Sequence, residues 1–246
     1  MASPLYNSSE RLGSSSASKT FKQVVFNVVT LIVAQSTLIP IAFIIAEFLH
    51  LPNGGLGSQF QLGQNAILSG LRWTIPLFGV AGLLRLVEPY SKDLQDVTKA
   101  THRSVLSVLG STRRPLFALL VSCLLGAAAG IGEEWLFRGV FQEVINQNTS
   151  PIISLVLSGG VFGILHAVTP VYFLLAFAAS VYFGYLYIIT HNLAVPMITH
   201  AVYDVFALMW AHLSVTSFAQ EEIDEILNFS GTVAPVLSAK NVNEEG

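Results

Sequence analysis

Between Arg114 and Glu133 the chain carries no charged side chain, and the apolar run around them extends from 115 to 145. Five other stretches are similar: about 24–49, 66–87, 151–168, 170–190 and 194–214. A helix needs roughly 20 apolar residues to cross the hydrocarbon core of a bilayer at 1.5 Å per residue. Only helices and closed barrels satisfy their backbone hydrogen bonds in lipid. Pro151, Pro170 and Pro196 fall near the starts of apolar stretches, where a missing N–H costs little. The expectation is an all-α, polytopic transmembrane bundle of about six spans.

Composition agrees. Of the 246 residues, 52% are apolar and 11% charged, against about a quarter charged in soluble domains. Such a chain cannot clothe a water-facing surface, so its first partner is membrane lipid. A net charge of −3, with no basic patch interleaved with aromatics, gives no sign of a nucleic-acid partner. The single cysteine, Cys123, excludes an intrachain disulfide and reads as a small buried apolar residue. Three regions follow: a Ser-rich polar tail over 1–22, expected to be disordered; a transmembrane domain over 23–214; and an acidic tail over 215–246. The polar loop 88–114 holds Lys92, Lys99, Arg103, Arg113 and Arg114, while the loops at 50–65, 146–150 and 191–193 hold no Lys or Arg. By the positive-inside rule the N-terminus and this loop face the cytoplasm. Six spans return the C-terminus to the same side.

Inside the spans stand Glu133, Glu134, Arg138, His166, His200 and Asp204. A charge at the bilayer centre costs about 2.5–3.5 kcal/mol on insertion scales. Polar groups on several helices therefore imply one shared polar cavity. Glu134 and Arg138 are four apart, the spacing of an ion pair on one helical face. Glu133 points about 140° away from Arg138 at 100° per residue, so it lacks a local counter-charge and suits a general base. Phe162 stands four before His166 and is positioned to roof the imidazole. His200 and Asp204 share a face, where Asp204 can orient the ring. Gly126, Gly130 and Gly132, then Gly159, Gly160 and Gly163, let helices approach closely. By contrast, Glu47, His50, Arg72, Arg85, His191 and His212 sit near span ends and read as interfacial.

The ordered set Glu133-Glu134-x-x-x-Arg138, Phe162-x-x-x-His166 and His200-x-x-x-Asp204 resembles the CPBP intramembrane proteases. That family comprises the type 2 CAAX prenyl endopeptidases and the bacteriocin-processing or immunity (Abi) proteins. "EEWLFRGVFQ", "VFGILHA" and "FGYLYIITHNLAVPMITHAVYD" carry the likeness across about 115–210. It implies hydrolysis of a peptide bond in a membrane-associated protein or peptide, prenylated CAAX-type termini among the candidates. Carried over, Glu133 is the base, His166 holds the water, and His200 with Asp204 stabilises the oxyanion. The family's common form has Asn at the last position. An ionised Asp cannot donate to an oxyanion, so Asp204 must be protonated or act by orienting His200. No cofactor is expected. The alternative is zinc on Glu133, His166, His200 and Asp204, although a metal-bound Glu133 could not also be the free base.

Two other functions compete: a catalytically silent membrane scaffold or immunity protein of the same fold, and, more weakly, a proton-relay transporter, for which no internal repeat is present. One difficulty concerns depth. Measured from Pro115, Glu133 lies about 27 Å along its helix, whereas His166 lies about 22 Å into a helix running back. In a core of about 30 Å they would miss each other. A tilt, a helix start below the membrane or a re-entrant path is expected.

Overall fold

The computed structural model describes residues 6–229, whose regular structure is entirely helical. Helices α1 (Tyr6–Ser36) and α2 (Leu38–Phe48) make the first span, Phe21–Phe48, with a break at Thr37. Pro40 in the first turn of α2 has no N–H for the carbonyl of Ser36, which accounts for the break. Helix α3 (Gln64–Val87) is the second span. Helix α5 (Pro115–Glu134) continues through a π-helical stretch, Trp135–Gln142, into α6 (Glu143–Asn148), giving a rod of 34 residues. Helices α7 (Pro151–Leu165), α8 (Pro170–Thr190) and α9 (Ala194–Val215) complete the bundle.

Five of the expected spans are long and apolar enough to cross a bilayer. The sixth, α7, has only 15 residues, about 22 Å at 1.5 Å each. It stops short because the chain leaves the helix at His166 and re-enters one at Pro170, capped by Thr169, whose hydroxyl accepts the N–H of Tyr172. The polar stretch 88–114 is largely not a loop. Ser91 caps α4 (Lys92–Leu109), an amphipathic helix that buries Ala100, Val105, Leu106 and Leu109. Part of the acidic tail is likewise α10 (Gln220–Asn228), which buries Ile223 and Ile226. These faces meet Val24, Val28, Val121, Leu125, Ala211 and Val215 in the largest apolar cluster. Lys99 joins α4 to α10 through Glu225 at 2.5 Å, and holds that carboxyl below its ordinary range.

The polar N-terminal stretch is continuous with the first span, since α1 begins at Tyr6; residues 1–5, and the tail beyond Phe229, lie outside the described residues. Cys123 is exposed on the outside of α5, not buried, because Val121, Ser122, Leu125 and Gly126 occupy the inward face. His212, in the last turn of α9, is fully buried, and its Nε2 accepts the N–H of Arg114 at the start of α5.

Close helix crossings set the site. A Cβ on Gly130 would stand 2.6 Å from the carbonyl oxygen of Met197, and one on Gly126 2.7 Å from that of Ala201. The α5–α9 seam is therefore a backbone-to-backbone contact that brings Glu134 to His200. Gly132 does the same for α1, where Gln35 O would lie 3.1 Å from an added Cβ. Gly159 and Gly163 seat Phe177 and Phe173 of α8, whereas Gly160 faces open space.

Candidate active site

Glu134 and Arg138 are both fully enclosed, with Nε and Oε2 3.1 Å apart. The i, i+4 spacing survives although the backbone widens to a π-helix immediately after Glu134. Such π-helical turns often occur at functional positions. The guanidinium does more than neutralise the acid. Nη2 donates to both the carbonyl and the hydroxyl of Ser180 at 2.9 Å, which ties the π-helical stretch to α8. Phe162, Phe183 and Phe137 surround the charge, their ring centroids 5.1, 5.5 and 6.0 Å from Cζ. These rings give the cation apolar but electron-rich neighbours, while Nη1 has no conventional acceptor.

The other oxygen of Glu134 takes His200. Nδ1–H donates to Oε1 at 2.7 Å, and Phe183 stacks on the ring at 4.7 Å. Nε2 of His200 faces Oδ2 of Asp204 at 3.5 Å. Sequence reading assigned the orientation of His200 to Asp204. The shorter contact, and the fully enclosed one, belongs to Glu134. Asp204 is half-buried and stands on the open side.

Glu133 is separate from this chain of contacts. Its carboxylate is buried, turned away from Arg138 as the helical spacing required. Oε2 lies 3.9 Å from Nε2 of His166. The tautomer of that ring follows from its other nitrogen, which lies 2.8 Å from the carbonyl oxygen of Phe162. A carbonyl only accepts, so Nδ1 carries a hydrogen, and in the uncharged ring Nε2 presents a lone pair toward Glu133. Phe162 stacks on His166 at 4.2 Å, the expected roof. His166 keeps about a third of its side chain exposed, so the pair opens outward. One molecule of water can reach both acceptors.

Two groups therefore start from adjacent residues of α5: Glu133 with His166, and Glu134 with Arg138, His200 and Asp204. Among the described residues no hydrogen bond or ion pair joins His166 to His200 or Asp204. Nor are any three His, Cys, Asp or Glu side chains there placed to hold one metal ion.

Two participants were not foreseen. Ser180 was unremarkable in an apolar helix. Gln35 of α1 donates from Nε2 to Oε1 of Glu133 at 3.0 Å. Gln35 is followed by Ser36 and Thr37, and Ser180 lies among the tyrosines of α8, so neither stood out in its span.

Residues 114–206 match the family described as Rce1-like, Type II CAAX prenyl endopeptidase Rce1-like. The segment contains Glu133, Glu134, Arg138, His166, His200 and Asp204, and excludes Gln35. Neither a curated protein nor a solved structure matches the chain.

Proposed function

Because residues 114–206 belong to the Rce1-like family of type II CAAX prenyl endopeptidases, we propose that this integral membrane protein is an intramembrane endopeptidase. Its substrate is a membrane-associated protein cut by activated water, with a prenylated CAAX-type terminus the leading class. The observation that carries this reading is the facing pair, Glu133 Oε2 and His166 Nε2, 3.9 Å apart. Both are acceptors, so a water between them donates both of its hydrogens and turns its lone pairs outward. As the water oxygen bonds to the substrate carbonyl carbon, Glu133 takes a proton. It returns that proton to the leaving amine as the C–N bond breaks. The oxyanion formed meanwhile needs a donor. His200 with Asp204 supplies one when a proton is bound at Nε2 or Oδ2, which lie 3.5 Å apart. Glu134 and Arg138 fix the ring that presents it. No step requires a metal ion.

Asp204 stands where the family's common form has Asn, and this departure favours one other reading, a scaffold of the same fold that binds a partner without cutting it. Quantitative mass spectrometry of protein C-termini separates the two. Membranes with wild type should contain truncated C-termini that are absent with Glu133→Ala or His166→Ala, each variant being folded and expressed equally. Identical sets of termini in all three would rule out the protease.

A further inference from the structure

Helix α1 lies outside the family segment, yet it reaches the carboxylate at the centre of the proposed chemistry. Gly132 allows the approach, since its missing side chain leaves room for the backbone of Gln35 and for Leu38. The Gln35 amide then donates to Oε1 of Glu133 at 3.0 Å, across 98 residues of sequence. Arg138 is committed to Glu134 and Ser180, so no cation performs this task. Gln35 lies just before the break at Thr37, where α1 ends and α2 begins.

We infer that Gln35 is a positioning residue: it anchors one oxygen of Glu133 and so aims the other at His166. This rests on the endopeptidase reading. A carboxylate can rotate about its terminal torsion, which is broad and nearly two-fold. Without a fixed donor on Oε1, the lone pairs of Oε2 are not held toward His166. An amide suits the role because it donates without supplying a charge that would pair with the base.

The test uses the full-length protein in proteoliposomes with a farnesylated CAAX peptide as substrate. Gln35→Met keeps length and shape but removes the donor, while Gln35→His restores an N–H at similar reach. Gln35→Met should lower kcat about tenfold with KM unchanged, as expected for loss of one hydrogen bond to a charged group. Gln35→His should recover most of that loss. Full activity in Gln35→Met overturns the inference, as does a loss that Gln35→His fails to repair, because packing alone would then explain it. Infrared spectroscopy supplies a readout independent of turnover. The carboxylate band of Glu133, identified by its disappearance in Glu133→Gln, should shift in Gln35→Met. An unmoved band overturns the positioning role even if wild type cuts nothing, and an inactive wild type with a shifted band refutes the endopeptidase reading alone.

Discussion

Glu134 and Arg138 are enclosed so completely that neither can be understood singly. Each charge is stable in the apolar interior only because the other lies 3.1 Å away and because Ser180 and three rings serve the guanidinium. Removing one partner leaves the other buried without compensation, which costs about 3–5 kcal/mol. Arg138→Met should therefore destabilise the folded protein by that amount. Adding Glu134→Gln should recover much of the loss, since a glutamine carbonyl still accepts from Nδ1 of His200. Unfolding in detergent micelles measures both. A single variant within 1 kcal/mol of wild type, or a double variant no better than the single, would contradict this account. The pair was legible from spacing, because an i, i+4 contact is local. The anchoring of Glu133 was not, because Gln35 meets it only through tertiary packing. The second partner of His200 was missed for the same reason: Asp204 is its neighbour on α9, while Glu134 arrives from α5.

At the scale of elements the decisive feature is the α5–α9 seam, where glycine replaces side chains with backbone contact. Gly130→Ala would force a Cβ to within 2.6 Å of the Met197 carbonyl oxygen. It should destabilise the fold by about 1–3 kcal/mol and part Glu134 from His200. Gly160→Ala is the matched control, with nothing within 4 Å of the added atom. It should leave stability unchanged or raise it by about 0.5–1 kcal/mol through helix propensity. Equal effects at the two sites would remove the argument for the seam. The sequence suggested both groups of glycines as contact points, but Gly160 is turned about 100° from Gly159 and faces away. The π-helical stretch had no local signature. What presses on it comes from far away: Trp135 donates to the carbonyl of Gly54 at 2.9 Å, and a Cβ on Gly139 would meet Gly55 O at 2.3 Å.

The whole molecule brings Glu133 and His166 together, so the depth count from Pro115 fails. The rod of α5, π-helix and α6 has 34 residues, about 50 Å at helical rise, so it cannot fit upright within a hydrocarbon core of about 30 Å. Depth must be counted from the turn that α6 and α7 share. The same number of residues separates Glu133 from Asn148 as separates Pro151 from His166, and the two side chains meet at one level. The ends of the bundle are equally distinct. Gln61 and Asn192 exchange hydrogen bonds at 3.2 and 2.9 Å, which joins two of the three loops free of Lys and Arg at one end. At the other, α4 and α10 pack on the start of α5 and the end of α9. Lys92, Lys99, Arg103, Arg113 and Arg114 all belong to that end, and we propose on the positive-inside rule that it faces the cytoplasm. A cavity of about 270 Å³ between Arg103 and Val168, two residues after His166, lies there too. A substrate anchored at the cytoplasmic leaflet would thus approach from the side nearer His166. In a Cys123→Ser background, an impermeant maleimide should label Ser111→Cys only from the cytoplasmic side and Gln59→Cys only from the opposite one. The reverse pattern would invert the protein in its membrane and remove cytoplasmic prenylated termini from its reach. Labelling of both positions from one side would instead break the count of crossings on which the shared depth of Glu133 and His166 depends.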